Sequence, residues 1–92
     1  MVKKKIKGWK IINGKLERDF VFKDFVQALK FVNKVGKIAE KLNHHPDIII
    51  HSWNKVKLIN YTHSVKNLTE KDFILAEKIN ELWRKNQKLK SI

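Results

Sequence analysis

The chain has 92 residues, no cysteine, 42% hydrophobic residues and a formal net charge of +12. That length fits one domain, spanning residues 1–92 with a core over about 8–83, and the composition excludes a disordered chain, a disulfide scaffold and cysteine-ligated metal. No apolar run approaches the ~20 residues that a membrane helix needs, and the basic start Met1-Val2-Lys3-Lys4-Lys5 has no signal-peptide-like apolar stretch behind it, so a cytoplasmic protein is expected.

In chain order, Trp9-Lys10-Ile11-Ile12 leads into Asn13-Gly14, the dipeptide that best supplies the positive φ angles of a type I′ turn, and Lys15 to Lys23 returns as a second arm. Leu16, Phe20 and Phe22 share one parity there and form a buried face, interrupted by Arg18. Arg18 is expected to lay its stem on the sheet and leave its head free.

From Asp24 the period changes. Phe25, Ala28, Leu29, Val32, Val35, Ala39 and Leu42 follow the three-and-four spacing of one helix face, with Asp24 as N-cap and Pro46 forbidding continuation. The helix should end near His44, with Gly36 inside it for close packing on the sheet.

Asp47 to His51 and Lys55 to His63 are β-branched runs separated by Ser52-Trp53-Asn54, which reads as a second hairpin or a bulged strand pair. Val56 and Leu58 point one way, and Ile59, Tyr61 and His63 the other. Thr69 and Asp72 make an N-cap pair of the capping-box type, followed by the helix stripe Phe73, Ala76, Ile79, Leu82 and Trp83. The polar tail from Arg84 is expected to fray. The order β-β-α-β-β-α predicts an α+β two-layer sandwich, a four-stranded antiparallel sheet with both helices on one face.

The lysines are scattered through every segment rather than massed on one element, so the charge reads as a solvated basic surface and not as a dedicated nucleic-acid site. Chemistry concentrates instead in the histidines. Adjacent imidazoles at His44 and His45 stand where a helix ends, Glu40 lies one turn earlier, and His63 closes a strand run. Imidazoles poised near neutrality suit proton transfer, and the ends of rigid elements suit a site. On a helix Glu40 and His44 are four apart and share a face. Paired histidines at a helix end can also simply complement the dipole. A zinc site is not expected, because no histidine pair has the i, i+4 spacing of helical metal ligands.

The order Glu40, His44-His45-Pro46, Trp53, His63 and Asp72, together with Trp9, Arg18-Asp19-Phe20-Val21-Phe22-Lys23-Asp24-Phe25 and Leu68-Thr69-Glu70-Lys71-Asp72, resembles the signature of pterin-4a-carbinolamine dehydratases from about Gly8 to Trp83. The resemblance implies a hydro-lyase that dehydrates 4a-hydroxytetrahydropterin to quinonoid dihydropterin, as in tetrahydrobiopterin recycling, with no cofactor and no metal. It implies His44 and His63 as the acid/base pair, His45 polarising the substrate, and Glu40 orienting His44. Pro46, Trp53, Thr62, Ser64 and Val65 would line the pterin site, with Trp53 either a wall of the cleft or a cover on the sheet. Asp72 and Thr69 are read as a structural cap. Family habit also implies a homodimer or homotetramer, often with an extra helix before the Trp9 equivalent, which this chain begins too late to carry. Lys66-Asn67 stands where a glycine is common, and Asn67 is expected to take the left-handed turn position. The alternative is a non-catalytic, coactivator-like module that keeps the fold and binds protein or nucleic acid.

Overall fold

The computed structural model describes residues 5–90, with side chains over 5–86; the basic start at Met1–Lys4 and the last two residues lie outside the described residues. Four strands, β1 (Lys10–Ile12), β2 (Lys15–Val21), β3 (Asp47–His51) and β4 (Lys55–Asn60), form one antiparallel sheet in the order β1-β2-β4-β3. Two helices, α1 (Phe25–Leu42) and α2 (Glu70–Lys90), complete the expected β-β-α-β-β-α order.

The first hairpin turns on Asn13 at φ 52° and Gly14 at φ 75°, the two positive angles that right-twisted strands require of a two-residue loop. Alternation then sorts the sheet. Leu16, Phe20, Val56 and Leu58 are buried against the helices, while Glu17, Asp19, Lys57 and Ile59 stand on the other face. Phe20, Phe22, Phe31 and Trp83 close the layer between sheet and helices as a cluster of tilted and edge-on rings, with centroids 4.9–5.8 Å apart.

Helix α1 differs from the expected face. Its buried positions are Ala28, Phe31, Val35 and Ala39, whereas Phe25 is 47% and Leu29 37% exposed. Apolar residues lie on both flanks of this helix, so two stripes fit the same period, and the larger Phe31 wins the place against Phe20 and Phe22. Gly36 is not a close-packing site, since a Cβ there would meet nothing within 4 Å. Asp24 caps the start as expected, its carboxylate accepting from the Gln27 N–H at 2.9 Å.

The stop at the other end comes earlier than Pro46. Asn43 is left-handed at φ 52°, its N–H donates to Glu40 O, and the His44 N–H donates back to Ala39 O, which is a Schellman closure. Asn43→Gly should leave stability near wild type, while Asn43→Val should cost about 1 kcal/mol, a Tm drop of roughly 4–8 °C in a thermal melt.

Arg18 does not free its head. Its guanidinium lies 4.6 Å from the Phe20 ring centroid, donates to Asn80 Oδ1 at 2.6 Å and reaches Lys7 O. Burial lowers its pKa from the ordinary arginine value. Asn80 also accepts from Trp9 Nε1 at 2.8 Å and donates to Lys7 O at 2.9 Å, so the segment ahead of β1 is tied to α2. Gly8 lies in that segment at φ +86°, where a Cβ would sit 2.5 Å from Arg18 Cζ, so a larger residue is strained there and must displace the guanidinium.

Strand β4 ends at Asn60, not His63. Thr62 and Asn67 then bridge across a turn in which Lys66, rather than Asn67, takes the left-handed position at φ 51°. The tail from Arg84 does not leave the helix, which continues to Lys90.

Candidate active site

The sheet register collects the candidate residues at one end. Asp47 pairs with Ile59, which sets the residues just before β3, His44 to Pro46, alongside those just after β4, Tyr61 to His63. Leu16 pairs with Asn60, which brings the start of β2 to the same corner. The Schellman closure delivers His44 there from α1, and Thr69 and Asp72 begin α2 beside it.

A carboxylate organises the corner. Asp72 has no exposed surface, and its Oδ2 accepts from the Thr62 hydroxyl at 2.6 Å and from the Thr69 N–H at 2.9 Å. Its Oδ1 lies 2.6 Å from His44 Nε2, whose side chain is 12% exposed. Because the Thr62 proton goes to Asp72, the Thr69 hydroxyl, 2.9 Å from Thr62 Oγ1, is the donor between the two threonines. The result is a directed chain from Thr69 through Thr62 to Asp72, met from the other side by His44. Asn60, fully buried at the end of β4, donates to the Asp72 backbone carbonyl at 3.0 Å and fixes the first turn of α2.

Two expectations change here. Glu40 does not orient His44, because α1 ends at Leu42 and the left-handed Asn43 swings His44 off the helix face that Glu40 occupies. Glu40 Oε2 instead meets His45 Nε2 at 2.5 Å, both side chains being largely exposed. Asp72 is a cap only in part: it supplies one arm of the capping box through the Thr69 N–H and gives its other oxygen to His44. The polar Asn60, placed in phase with buried Val56 and Leu58, was the sequence signal for a hydrogen-bonded hub at this spot.

His63 is exposed and packs edge-on against Tyr61, centroids 5.1 Å apart at 85°. No hydrogen bond or ring contact joins it to His44 or His45 among the described residues. The imidazoles therefore flank one corner from separate supports rather than forming a single bonded cluster. Pro46 is half-buried there, and Ser64 and Val65 are exposed on the turn after His63. Trp53 lies elsewhere. It sits at φ 55° at the tip of the β3–β4 turn, 60% exposed, at the opposite end of β4 from His63. The six residues of β4 alone separate them by about 20 Å at 3.3 Å per residue, so within one chain Trp53 does not line this corner. His51 is an exposed strand residue beside Ser52.

A groove of about 260 Å³ runs between α1 and α2, with an apolar floor of Ile38, Leu42 and Leu82 under Lys41, Lys78 and Lys85, and includes none of the histidines. No group of three or more metal-ligating side chains occurs among the described residues, and none of the described helices is long and apolar enough to cross a membrane.

Comparison with known proteins bears on the family and the fold. The family model for pterin 4 alpha carbinolamine dehydratase matches residues 1–82. Relatives carrying the pterin-4-alpha-carbinolamine dehydratase name include one from Alkaliphilus metalliredigens, 47% identical over 79% of this chain and 66% of its own length. Another from Sulfolobus acidocaldarius is 46% identical over 84% of each. The crystal structure of a transcriptional coactivator/pterin dehydratase from Brucella melitensis superposes with a TM-score of 0.76 at 36% identity, covering 82% of this chain and 81% of that one.

Proposed function

The chain belongs to the pterin-4a-carbinolamine dehydratase family, and from that membership and the histidine corner we propose that it dehydrates a 4a-hydroxytetrahydropterin to the quinonoid dihydropterin. The observation that carries the reading is the His44–Asp72–Thr62 chain of hydrogen bonds ending one residue from His63.

The reaction moves little matter. The N5 lone pair forms the C4a=N5 bond as the C4a–O bond breaks, the 4a-oxygen leaves as water after taking one proton, and N5 gives one proton up. One group must supply the first proton and another receive the second. A carboxylate only accepts hydrogen bonds, so His44 Nε2 carries the hydrogen shared with Asp72, and Nδ1 keeps a lone pair. Asp72 stabilises the imidazolium that His44 becomes on accepting a proton, which suits His44 to take the proton from N5. His63, whose imidazole has no hydrogen-bond partner among the described residues, protonates the departing oxygen. His45, held by Glu40, polarises the substrate from the rim. The flanking residues Pro46, Thr62, Ser64 and Val65 contact the ring, and the chemistry calls for no cofactor.

The reading extends to assembly and location. Phe25, Val26 and Leu29 leave an apolar strip exposed on α1, and β3 is an edge strand of the sheet, which supports a homodimer or homotetramer; the bacterial and archaeal relatives are compatible with work in the cytoplasm.

Mixing the purified protein with chemically generated 4a-hydroxytetrahydropterin and following the absorbance of the quinonoid product tests the activity. The expected result is a first-order dehydration faster than the buffer rate and proportional to protein concentration. A rate equal to buffer, with salt-sensitive retention on nucleic acid or a protein partner, would replace the enzyme by a binding module of the kind the coactivator name of the Brucella melitensis relative suggests.

A further inference from the structure

Beside the histidine corner, one cation is placed by a chain of ring contacts. Lys15 opens β2 next to the Asn13-Gly14 turn, where the pairing of Leu16 with Asn60 brings it alongside Tyr61. Its Nζ lies 4.9 Å from the Tyr61 ring centroid, and the same ring meets His63 edge-on at 5.1 Å. Lys15, Tyr61 and His63 thus form a ridge on the helix-free face of the sheet. Lys15 has no carboxylate partner among the described residues, and Glu17, the next acid on that face, is 3.8 Å from Lys57. A half-buried ammonium held over a ring keeps its direction without giving up its charge to a neighbour.

Resting on the dehydratase reading, we propose that Lys15 is a specificity-determining residue that recognises an anionic group on the side chain of the pterin, so that the preferred substrate class is a phosphorylated pterin rather than one with a neutral side chain. The dimensions agree. The path C4a–N5–C6–C–O–P of a 6-hydroxymethylpterin phosphate spans about 6 Å when extended, at ordinary single-bond lengths. With C4a at His63, the phosphate reaches past the Tyr61 ring toward the ammonium. A cation at this distance does nothing for a neutral side chain and forms a charge-assisted hydrogen bond with a phosphate oxygen. The +12 chain adds attraction of the same sign at longer range.

The test titrates the wild-type protein, Lys15→Glu and Lys15→Gln with 6-hydroxymethylpterin and with its phosphate monoester, read by pterin fluorescence at low ionic strength. Wild type is expected to bind the phosphate ester about threefold to tenfold more tightly than the neutral pterin, the range that one partly exposed charge pair provides. Lys15→Gln should bring the ratio toward one, Lys15→Glu should invert it, and 0.5 M salt should erase it in wild type. Equal binding of the two pterins by wild type, while dehydration of a neutral 4a-hydroxytetrahydropterin is still accelerated, would overturn this proposal alone. A preference that survives in both variants would overturn the assignment to Lys15. Failure of both pterins to bind, with no accelerated dehydration, would remove the dehydratase reading and this proposal with it.

Discussion

Replacing His63 by alanine is expected to lower the dehydration rate constant by about 10²- to 10⁴-fold, the usual contribution of a positioned general acid or base. The fold should not notice. His63 is exposed, its imidazole makes no hydrogen bond among the described residues, and its one backbone bond, accepted from the Lys66 N–H, survives truncation of the side chain, so its loss removes no core packing. Stopped-flow absorbance of the quinonoid product, run beside a thermal melt, separates the two quantities. A fall of less than tenfold would take His63 out of the proton-transfer pair, whatever the melting curve showed.

Changing Asp72 should produce the largest combined effect in the chain. Asp72→Ala strands three donors at once: the Thr69 N–H, the Thr62 hydroxyl and His44 Nε2, around a side chain with no exposure. Leaving such groups without an acceptor costs about 1–3 kcal/mol each in the worst case, and reorganisation brings the total to about 2–4 kcal/mol, a Tm loss of roughly 10–25 °C. Asp72→Asn separates scaffold from chemistry. Its oxygen can still accept from Thr62 and Thr69, but its amide then faces His44 Nε2 with a donor. His44 must shift its hydrogen to Nδ1 and lose the lone pair that would receive the substrate proton. A rate loss of about 10²-fold or more with a small Tm change is therefore expected, in the manner of a carboxylate that fixes a tautomer. If Asp72 were only a helix cap, Asp72→Asn would keep the rate within tenfold.

The architecture was readable because local signals agreed with one another. Asn13-Gly14, the alternation through Leu16 and Phe20, and the Asp24 cap each call for the element that forms. The failures have physical causes. Helix α1 carries apolar residues on two flanks, and spacing alone does not choose Phe31 over Leu29. The i, i+4 relation between Glu40 and His44 presumes a helix that Asn43 has already ended. Asp72 was legible as a cap and illegible as the partner of His44, because the second role depends on a tertiary approach across 28 residues. Trp53 shows the same limit from the other side. Its place in a spacing pattern suggested a pocket wall, although the run from Lys55 that ends at His63 already set a whole strand between the two.

The knot at Asn80 bears on how the molecule comes apart. Trp9 and Asn80 are 71 positions apart, so their hydrogen bond closes a loop that contains both hairpins and α1. Closing so long a loop carries more chain entropy than any turn or helix within it, and a bond of that kind forms after the local elements have docked. Interactions completed late leave the refolding rate nearly untouched and lengthen the lifetime of the native state. The Lys7–Trp9 segment and Arg18 thus latch the start of the sheet to α2.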